Sequence, residues 1–112
     1  MSHMFEFCKY FCGNLSNWDV SNVVDMSYMF KDCMMFCGNL NNWNVSNVID
    51  MSHMFDGSMH FRSKLRNWNV SKVKNMSYMF NKCFDFRDKD NGLKNWDVSE
   101  VTDMSYMFKD CW

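Results

Sequence analysis

A nine-residue phrase that returns at a regular spacing constrains this chain more than any other feature of its sequence. Residues 25–33 read DMSYMFKDC, and close variants of the phrase occupy residues 50–58, 75–83 and 103–111. A tryptophan precedes each copy, and the four tryptophans are Trp18, Trp43, Trp68 and Trp96. A period of about 20–50 residues is the signature of a repeat architecture, in which one unit cannot bury its apolar face alone. The chain is therefore expected to fold by stacking its copies.

The repeat divides the chain into a part-unit, three full units and a second part-unit. Counted from the leucine that opens each copy, the units are residues 1–14, 15–39, 40–64, 65–92 and 93–112. We number them the first to the fifth unit. The fourth unit is three residues longer than the second and the third. Because no segment lies outside the repeat, we predict one domain that covers residues 1–112.

The first half of each unit has the pattern of a short β-strand. Trp18 and Val20 lie two residues apart, whereas the polar residues Asn17 and Asp19 occupy the alternate positions. Alternation with a period of two is typical of a half-buried strand. The sequence thus predicts short parallel strands that stack from unit to unit, so that equivalent side chains form ladders.

The nine-residue phrase has the pattern of a short helix. Met26, Met29, Phe30 and Cys33 follow the spacing of one helical face, and Asp25 is a suitable N-cap before them. A helix of this length is not stable alone in water, so it would be held by packing against its copies. The predicted fold is therefore a repeat solenoid with short parallel strands on one side and short helices on the other.

The whole unit follows the pattern L-x-N-W-[DN]-V-S-x-V-x-[DN]-M-S-[YH]-M-F. From its asparagine onward this pattern occupies residues 17–30, 42–55, 67–80 and 95–108. It resembles the leucine-rich repeat and, more specifically, the BspA-like surface-lipoprotein repeat. The resemblance implies a right-handed, leucine-rich-repeat-like solenoid. It also implies adhesion or protein binding without catalysis, as in bacterial surface proteins and in proteins of large DNA viruses and protists.

The charge and hydropathy of the chain exclude several classes of function. The formal net charge of -1 gives no electrostatic reason to expect binding to nucleic acid or to an acidic membrane. No stretch approaches the run of about 18 apolar residues that a membrane-spanning helix needs. The apolar start of the chain matches residues 51–61, so we interpret it as part of the repeat and not as a signal peptide. We expect no membrane insertion, and a location inside the cell or in a virus particle is favoured over secretion.

The six cysteines fall into two columns of equivalent positions. The first column contains Cys8, Cys33, Cys83 and Cys111, with Ser58 in the third unit. The second column contains Cys12 and Cys37, with Arg62 and Arg87 in the later units. Free cysteine is among the most buried residue types, so we expect buried thiols. Disulfides between stacked neighbours are the alternative, since one step of the stack lies within the range that a disulfide tolerates. A metal site is disfavoured because no second ligand pair accompanies the Cys-x-x-x-Cys spacing.

The repeats contain no set of nucleophile, base and orienting group, so we expect no catalytic residues, no cofactor and no metal. His3 and His53 stand in a column that tyrosine otherwise occupies. The interchange with tyrosine indicates a half-exposed flat side chain and not a ligand or a base.

Two acidic features raise calcium binding as an alternative. Asp25, Asp50 and Asp103 share one column, but Asn75 takes the same place in the fourth unit, so we interpret the column as helix caps. The insertion at residues 88–92 has a calcium-loop composition but misses the required spacing. We interpret it as a surface loop.

Two classes of function remain. The first is a non-enzymatic protein-interaction module that binds its partner through a polar strand face. The partner-facing residues would be Asn17, Asp19, Asn42, Asn44, Asn67, Asn69, Asn95 and Asp97. The alternative is a structural or assembly protein, such as a component of a virus particle or a surface layer, which associates through open solenoid ends. The end-to-end contacts would be Met1, Met4, Phe5, Trp96, Met104 and Phe108.

Overall fold

The backbone is built almost entirely from turns. The computed structural model describes residues 1–87 and 92–111. Its one helix in these ranges is a 3₁₀ helix, Gly92–Asn95. The β-structure that it describes there consists of three isolated parallel bridges, which join Asp25 to Asp50, Asp50 to Asn75, and Asn75 to Asp103. Each bridge pairs the first residue of one nine-residue phrase with that of the next.

The predicted leucine-rich-repeat-like solenoid, with strands on one side and helices on the other, is therefore wrong. Neither an α-helix nor an extended strand occurs in the described part of the chain. The molecule is instead a compact globule of 33 × 30 × 26 Å with a radius of gyration of 12.5 Å, built around a large aromatic cluster. The same described residues contain no helix long and apolar enough to cross a membrane.

The helix fails because two residues in every phrase adopt a left-handed backbone conformation. Tyr28 has a φ angle of 59° and Asp32 one of 56°, whereas a right-handed helix needs negative values throughout. The equivalent pairs are His3 and Phe7, His53 and Gly57, Tyr78 and Lys82, and Tyr106 and Asp110. The apolar residues spaced three and four apart thus mark successive tight turns and not a helical face.

The N–H groups of the phrase alternate between two kinds of partner. Those of Met26, Tyr28 and Phe30 donate to carbonyl groups of the next unit, over 2.9 Å, 3.0 Å and 2.9 Å. Those of Met29 and Lys31 instead close turns onto carbonyl groups three residues back, over 3.3 Å and 3.0 Å. This alternation satisfies the backbone without a regular helix or strand.

The predicted strand is replaced by turns as well. The N–H group of Trp18 donates to the carbonyl oxygen of Leu15, and that of Val23 donates to that of Val20, both over 3.0 Å. Because these N–H groups are used inside the unit, they cannot form a ladder with the neighbouring unit. The alternation of apolar and polar residues governs burial here without producing a strand.

The core consists of ladders of equivalent aromatic rings, as the repeat predicts. Phe30, Phe55 and Phe80 are fully buried, and their ring centroids lie 5.7 Å apart at each step. A second ladder runs beside the first and contains Phe11, Phe36, Phe61 and Phe86. The two ladders touch, since the rings of Phe55 and Phe61 are 4.0 Å apart. Stacked rings of this kind contribute about 0.5–1.5 kcal/mol per pair beyond their burial.

Candidate functional site

The eight predicted partner-facing side chains are all exposed. The structure places Asn17, Asp19, Asn42, Asn44, Asn67, Asn69, Asn95 and Asp97 at the surface. We call these eight residues the polar face. In the third unit Asn42 and Asn44 flank the buried Trp43, and Val45 is buried after them. The alternation that suggested a strand thus sorts the side chains between core and solvent.

Four members of the polar face are held in place by a serine two residues later. The Oδ1 atom of Asp19 accepts hydrogen bonds from the backbone N–H of Ser21, over 3.0 Å, and from its hydroxyl, over 2.6 Å. Asn44 accepts the same two bonds from Ser46. Asn69 and Asp97 each accept the backbone bond from the serine two residues on. These bonds are Asx turns, which fix the side chain against its own backbone.

The charge of the polar face is concentrated in two units. Hydrogen bonds from Ser21 lower the pKa of Asp19, and hydrogen bonds from Ser99 lower the pKa of Asp97. Both carboxylates are therefore ionised at neutral pH. The second and fifth units present a negative charge, whereas the third and fourth present neutral amides at the equivalent positions.

The column of Asp25, Asp50 and Asp103 also forms Asx turns, so its interpretation as helix caps is wrong. The Oδ1 atom of Asp25 accepts from the backbone N–H of Ser27 over 2.8 Å and from its hydroxyl over 2.6 Å. Asn75 does the same for the N–H of Ser77, over 2.9 Å. No helix follows for these residues to cap. The structure brings together no group of three or more His, Cys, Asp or Glu side chains suited to a metal ion within residues 1–87 and 92–111.

The cysteines divide between a disulfide and free thiols. Cys12 and Cys37 are joined by a disulfide, with their Cα atoms 5.4 Å apart, so the prediction of buried thiols is wrong for this pair. Cys33 and Cys83 are fully buried and free, as predicted. Cys8 is free and exposed.

Each later member of the first cysteine column donates a hydrogen bond to a phenylalanine carbonyl in the preceding unit. The Sγ atoms of Cys33 and Cys83 lie 2.8 Å and 3.0 Å from their acceptors, the carbonyl oxygens of Phe5 and Phe55. Ser58 donates its hydroxyl to Phe30 over 2.6 Å in the same way. Burial raises the pKa of the Cys33 thiol to about 12, so this thiol stays protonated and is a poor nucleophile.

The histidines lie in polar contacts that the sequence did not reveal. The ring of His53 stacks between those of Tyr28 and Tyr78, with centroids 4.5 Å from each, and its Nδ1 atom lies 2.8 Å from a carboxylate oxygen of Asp56. His60 lies 2.7 Å from a carboxylate oxygen of Asp85 in the next unit. The ring stacking of His53 and the contact of His60 with Asp85 join different units, whereas the contact of His53 with Asp56 lies within the third unit.

The predicted end-to-end residues differ in their exposure. Met4 lies exposed in the first unit, where Met1 and Phe5 are half-buried. In the fifth unit Met104 and Phe108 are exposed. Trp96, by contrast, is buried and donates its indole N–H to the carbonyl oxygen of Leu65 over 3.2 Å. It therefore lies in the interface between the fourth and fifth units.

The sequence pattern does not predict a basic cleft, which lies between residues 62–66 and residues 85–87 and 92–93. Its cationic lining residues are Arg62, Lys64, Arg66 and Arg87. The sequence does contain one signal for it. The chain has three arginines, and all of them lie in or directly beside the segments that connect the inward phenylalanine to the next leucine in the third and fourth units. The predicted surface loop is residues 88–92, and its residues 88–91 lie outside the described part of the chain.

Comparison with known proteins identifies one family. A family model described as "Mycoplasma protein of unknown function, DUF285" matches residues 1–112. No curated protein matches the chain. No solved structure matches it either.

Proposed function

The chain belongs to the DUF285 family, and we propose that it is a non-enzymatic protein-interaction module that binds a partner protein through the polar face. The observation that carries this proposal is the arrangement of the eight Asn and Asp side chains. All of them are exposed, and in the third and fourth units they alternate with tryptophan and valine residues that are buried in the core. A partner would meet regularly spaced amide and carboxylate groups on a fixed support.

Preorganisation of the face supports this proposal. The Asx turns of Asp19, Asn44, Asn69 and Asp97 already restrict these four side chains. Binding therefore loses less side-chain entropy than it would on a surface of free side chains. The two ionised carboxylates favour a partner that presents cationic groups at the matching positions.

The test is to disrupt the face without disturbing its turns. Asn42 and Asn67 are suitable because they are exposed and lie outside the Asx turns. We expect the double variant Asn42→Lys, Asn67→Lys to lose proteins that the unaltered chain retains from an extract of the source cells. The matched control is Val24→Lys, Ile49→Lys, which adds two lysines at exposed positions outside the face.

The retained protein is then purified, and its affinity for all three chains is measured by surface plasmon resonance. The control should bind like the unaltered chain, whereas the face variant should bind at least tenfold more weakly. Equal affinity of the face variant and the unaltered chain would exclude the polar face as the binding surface.

A second candidate function, assembly of copies end to end, is favoured by the apolar residues exposed on the two outer units. Met4 and Phe7 in the first unit are 47% and 62% exposed, and Met104 and Phe108 in the fifth are 44% and 47% exposed. The residues equivalent to Met4, Met104 and Phe108 in an inner unit, namely Met29, Met51 and Phe55, are fully buried. We propose a second copy of the chain as the occupant of these surfaces.

Backbone geometry supports a second copy as that occupant. In the fourth unit the N–H groups of Met76, Tyr78 and Phe80 donate to the fifth unit, each over 2.9 Å. In the fifth unit the equivalent groups, those of Met104, Tyr106 and Phe108, meet no backbone carbonyl of the described residues. The first unit has the phrase from its first methionine onward, so the carbonyl groups of Ser2 and Met4 are equivalent to those that accept from Tyr78 and Phe80.

Light scattering across a concentration series tests the assembly. Val98→Asp places a charge on the fifth unit, and Val24→Asp places the same charge on a flank that the assembly would leave exposed. We expect the molar mass of the unaltered chain and of Val24→Asp to rise with concentration, and that of Val98→Asp to stay at the monomer value. A monomer at every concentration for the unaltered chain would overturn the assembly.

A narrower proposal concerns the relation of this repeat to known repeat sequences. We propose that the repeat is related in sequence to the BspA-like surface-lipoprotein repeat, because the N-W-[DN]-V-S pattern and the M-S-[YH]-M-F pattern recur in every later unit. This kinship would agree with a binding role. It carries no statement about fold, since the strands and helices that it implied are absent from the described residues.

A further inference from the structure

The basic cleft is large enough to hold a small molecule. Its volume is about 450 Å³, within the range of about 300–1,000 Å³ that is usual for ligand sites. One wall is formed by residues 62–66, which connect the third unit to the fourth. The opposite wall contains Asp85, Phe86 and Arg87, and Gly92 and Leu93 close it.

The cleft lies where the repeat changes the length of its connection. Three residues separate the inward phenylalanine from the next leucine in the earlier units, as from Phe61 to Leu65, but six separate Phe86 from Leu93. Connections of equal length stack closely, as the disulfide between Cys12 and Cys37 shows.

Gly92 holds the end of the cleft closed. A Cβ atom at this position would lie 2.9 Å from the Cα atom of Arg66 and 3.0 Å from its Cβ atom. Glycine therefore lets the backbone at residue 92 approach Arg66 closely. This contact positions Arg66 against the base of the longer connection.

The cleft concentrates positive charge in a chain that is nearly neutral. Three guanidinium groups, those of Arg62, Arg66 and Arg87, line the cleft together with one carboxylate, that of Asp85. The adjoining residues 88–91 read DKDN and contribute one net negative charge. Even with these four residues counted, the region is positive.

The repeat itself does not require these cations. The first two connections read CGN where the third reads RSK, so a neutral sequence satisfies the same place in the stack. The Cys-Gly-Asn sequence occurs in both of the first two units, whereas the arginines begin where the cleft begins. The cationic residues are therefore a feature of the cleft, and stacking of the repeat does not require them.

One of the arginines is already oriented by a carboxylate. The guanidinium of Arg62 donates to a carboxylate oxygen of Asp85 over 2.8 Å, and the same oxygen lies 2.7 Å from Nδ1 of His60. Hydrogen bonds from His60 and Arg62 lower the pKa of Asp85, so this partner is ionised at neutral pH. The bond uses one of the five N–H donors that a guanidinium carries.

From this arrangement we propose that the cleft binds a small ligand that bears two or more phosphate groups. The planar fork of a guanidinium matches phosphate oxygens in pairs, and three guanidinium groups line one cleft. The lining residues Leu65, Phe86 and Leu93 offer apolar surface beside them for an organic part of the ligand. This site is separate from the polar face and does not depend on the proposed interaction function.

Titration calorimetry at low salt with pyrophosphate, ADP and adenosine tests the site. We expect the unaltered chain to bind pyrophosphate and ADP but not adenosine. Arg66→Ala and Arg87→Ala should each weaken binding roughly tenfold or more, because each removes a charge-assisted pair of hydrogen bonds. The matched control, Lys74→Ala, makes the same change in net charge at an exposed residue outside the cleft. It should leave the affinity unchanged.

Two further comparisons complete the test. The first shows whether the organic part of the ligand contributes to binding, and the second controls for misfolding of the variants. Tighter binding of ADP than of pyrophosphate would indicate an organic phosphate on the apolar lining, and equal binding would indicate recognition of the phosphates alone. Arg87→Lys keeps the positive charge but loses the planar guanidinium with its paired N–H donors. The affinity of this variant should therefore lie between those of the unaltered chain and Arg87→Ala. The proposal is overturned if pyrophosphate and ADP do not bind at millimolar concentration. It is equally overturned if adenosine binds as tightly as ADP, or if Lys74→Ala weakens binding as much as the arginine variants do.

Discussion

At the scale of single residues, carbonyl groups that accept two hydrogen bonds set the register between units. The carbonyl oxygen of Phe30 accepts from the backbone N–H of Cys33 over 3.2 Å and from the hydroxyl of Ser58 over 2.6 Å. The carbonyl oxygen of Leu15 similarly accepts the indole N–H of Trp43 over 2.9 Å. One bond closes a turn and the other reaches in from the next unit, so both lone pairs are used. The column requires a donor, which explains why a serine and a cysteine are interchangeable in it.

We therefore expect Ser58→Ala to destabilise the protein, and Ser58→Cys to do so much less. Ser58 is fully buried, and the alanine variant leaves the Phe30 carbonyl without its second donor, at a cost of about 1–3 kcal/mol. Cysteine is the residue that the chain uses at the equivalent position in the second and fourth units, where its Sγ atom reaches the carbonyl. Urea denaturation gives the free energies of unfolding. Equal losses in the two variants would contradict the role of the donor.

The buried thiols also predict a loss of stability at alkaline pH. Burial raises the pKa of Cys33 from 9.0 to about 12, and burial also raises that of Cys83 well above its ordinary value. In the unfolded chain these thiols ionise near pH 9, whereas in the folded chain they stay protonated. Their contribution is therefore complete below about pH 9 and declines as the pH rises toward 12.

The matched control for this pH dependence is the double variant Cys33→Ser, Cys83→Ser, since serine does not titrate and already serves at residue 58. The free energy of unfolding, measured by urea denaturation between pH 8 and pH 11, should fall more steeply for the unaltered chain than for the variant. Tyrosine ionisation affects both proteins, so the difference between them isolates the thiols. Parallel curves would show that these thiols ionise equally in the folded state.

At the scale of structural elements, the repeating unit of this molecule is a run of tight turns. Its left-handed residues recur four apart, and Gly57 is the one glycine among them, with a φ angle of 75°. Asn, Asp and Gly tolerate this conformation best, but tyrosine, histidine and lysine also adopt it here. The hydrogen bonds to the next unit hold these residues in place, so that the stack overrides their local preference.

Gly57→Ala should cost about 1–2 kcal/mol, because an alanine at positive φ is strained. Its Cβ atom would also meet the Oδ1 atom of Asp32 in the preceding unit. The control is Lys82→Ala at the equivalent place, where a Cβ atom is already accommodated at a φ angle of 58° and the side chain is exposed. Thermal and urea denaturation should show a clear loss for the first variant and a change within about 0.5 kcal/mol for the second.

A second variant separates the two causes of that loss. Asp32→Ala combined with Gly57→Ala removes the carboxylate that the new Cβ atom would meet but keeps the strained φ angle. We expect the double variant to recover part of the stability that Gly57→Ala loses. Complete recovery would mean that the steric contact alone, and not the backbone conformation, explains the glycine.

The sequence predicts the positions of these elements but not their conformation. The period predicts which residues are equivalent and which aromatic residues stack, since Phe30, Phe55 and Phe80 recur at fixed intervals. It does not predict left-handed tyrosines, because an apolar spacing of three and four fits a helix and a series of turns equally well. The exposure of Asn42 and Asn44 follows from the alternation. The pairing of His60 and Arg62 with Asp85 does not, because it joins residues of different units.

At the scale of the whole molecule, the units share one core but differ in how their connections are held. The connections of the first and second units are joined by the disulfide of Cys12 and Cys37, whereas the basic cleft lies between residues 62–66 and residues 85–87 and 92–93. Ring stacking between Phe11 and Phe36 continues beside the disulfide, with centroids 6.1 Å apart. The first unit thus depends on a covalent bond, and the central units depend on burial between two neighbours.

Reduction of the disulfide should therefore destabilise the first unit more than the central units. The bond closes a segment of 25 residues, for which chain entropy predicts about 3 kcal/mol, and both cysteines are exposed to reductant. Hydrogen exchange followed by mass spectrometry should show faster exchange first at the N–H groups of Phe5 and Phe7. These groups donate to the second unit over 2.9 Å.

The N–H groups of Met51 and His53 lie in the central stack and donate to the fourth unit over the same distance, so they provide the internal comparison. Because units on both sides cover them, they should keep their protection after reduction, and they should exchange only when the whole molecule unfolds. The variant Cys12→Ser, Cys37→Ser should behave like the reduced protein and should not respond to reductant. Faster exchange at Met51 and Phe5 to the same extent would mean that the units unfold together, and that the disulfide stabilises the core as a whole and not the first unit in particular.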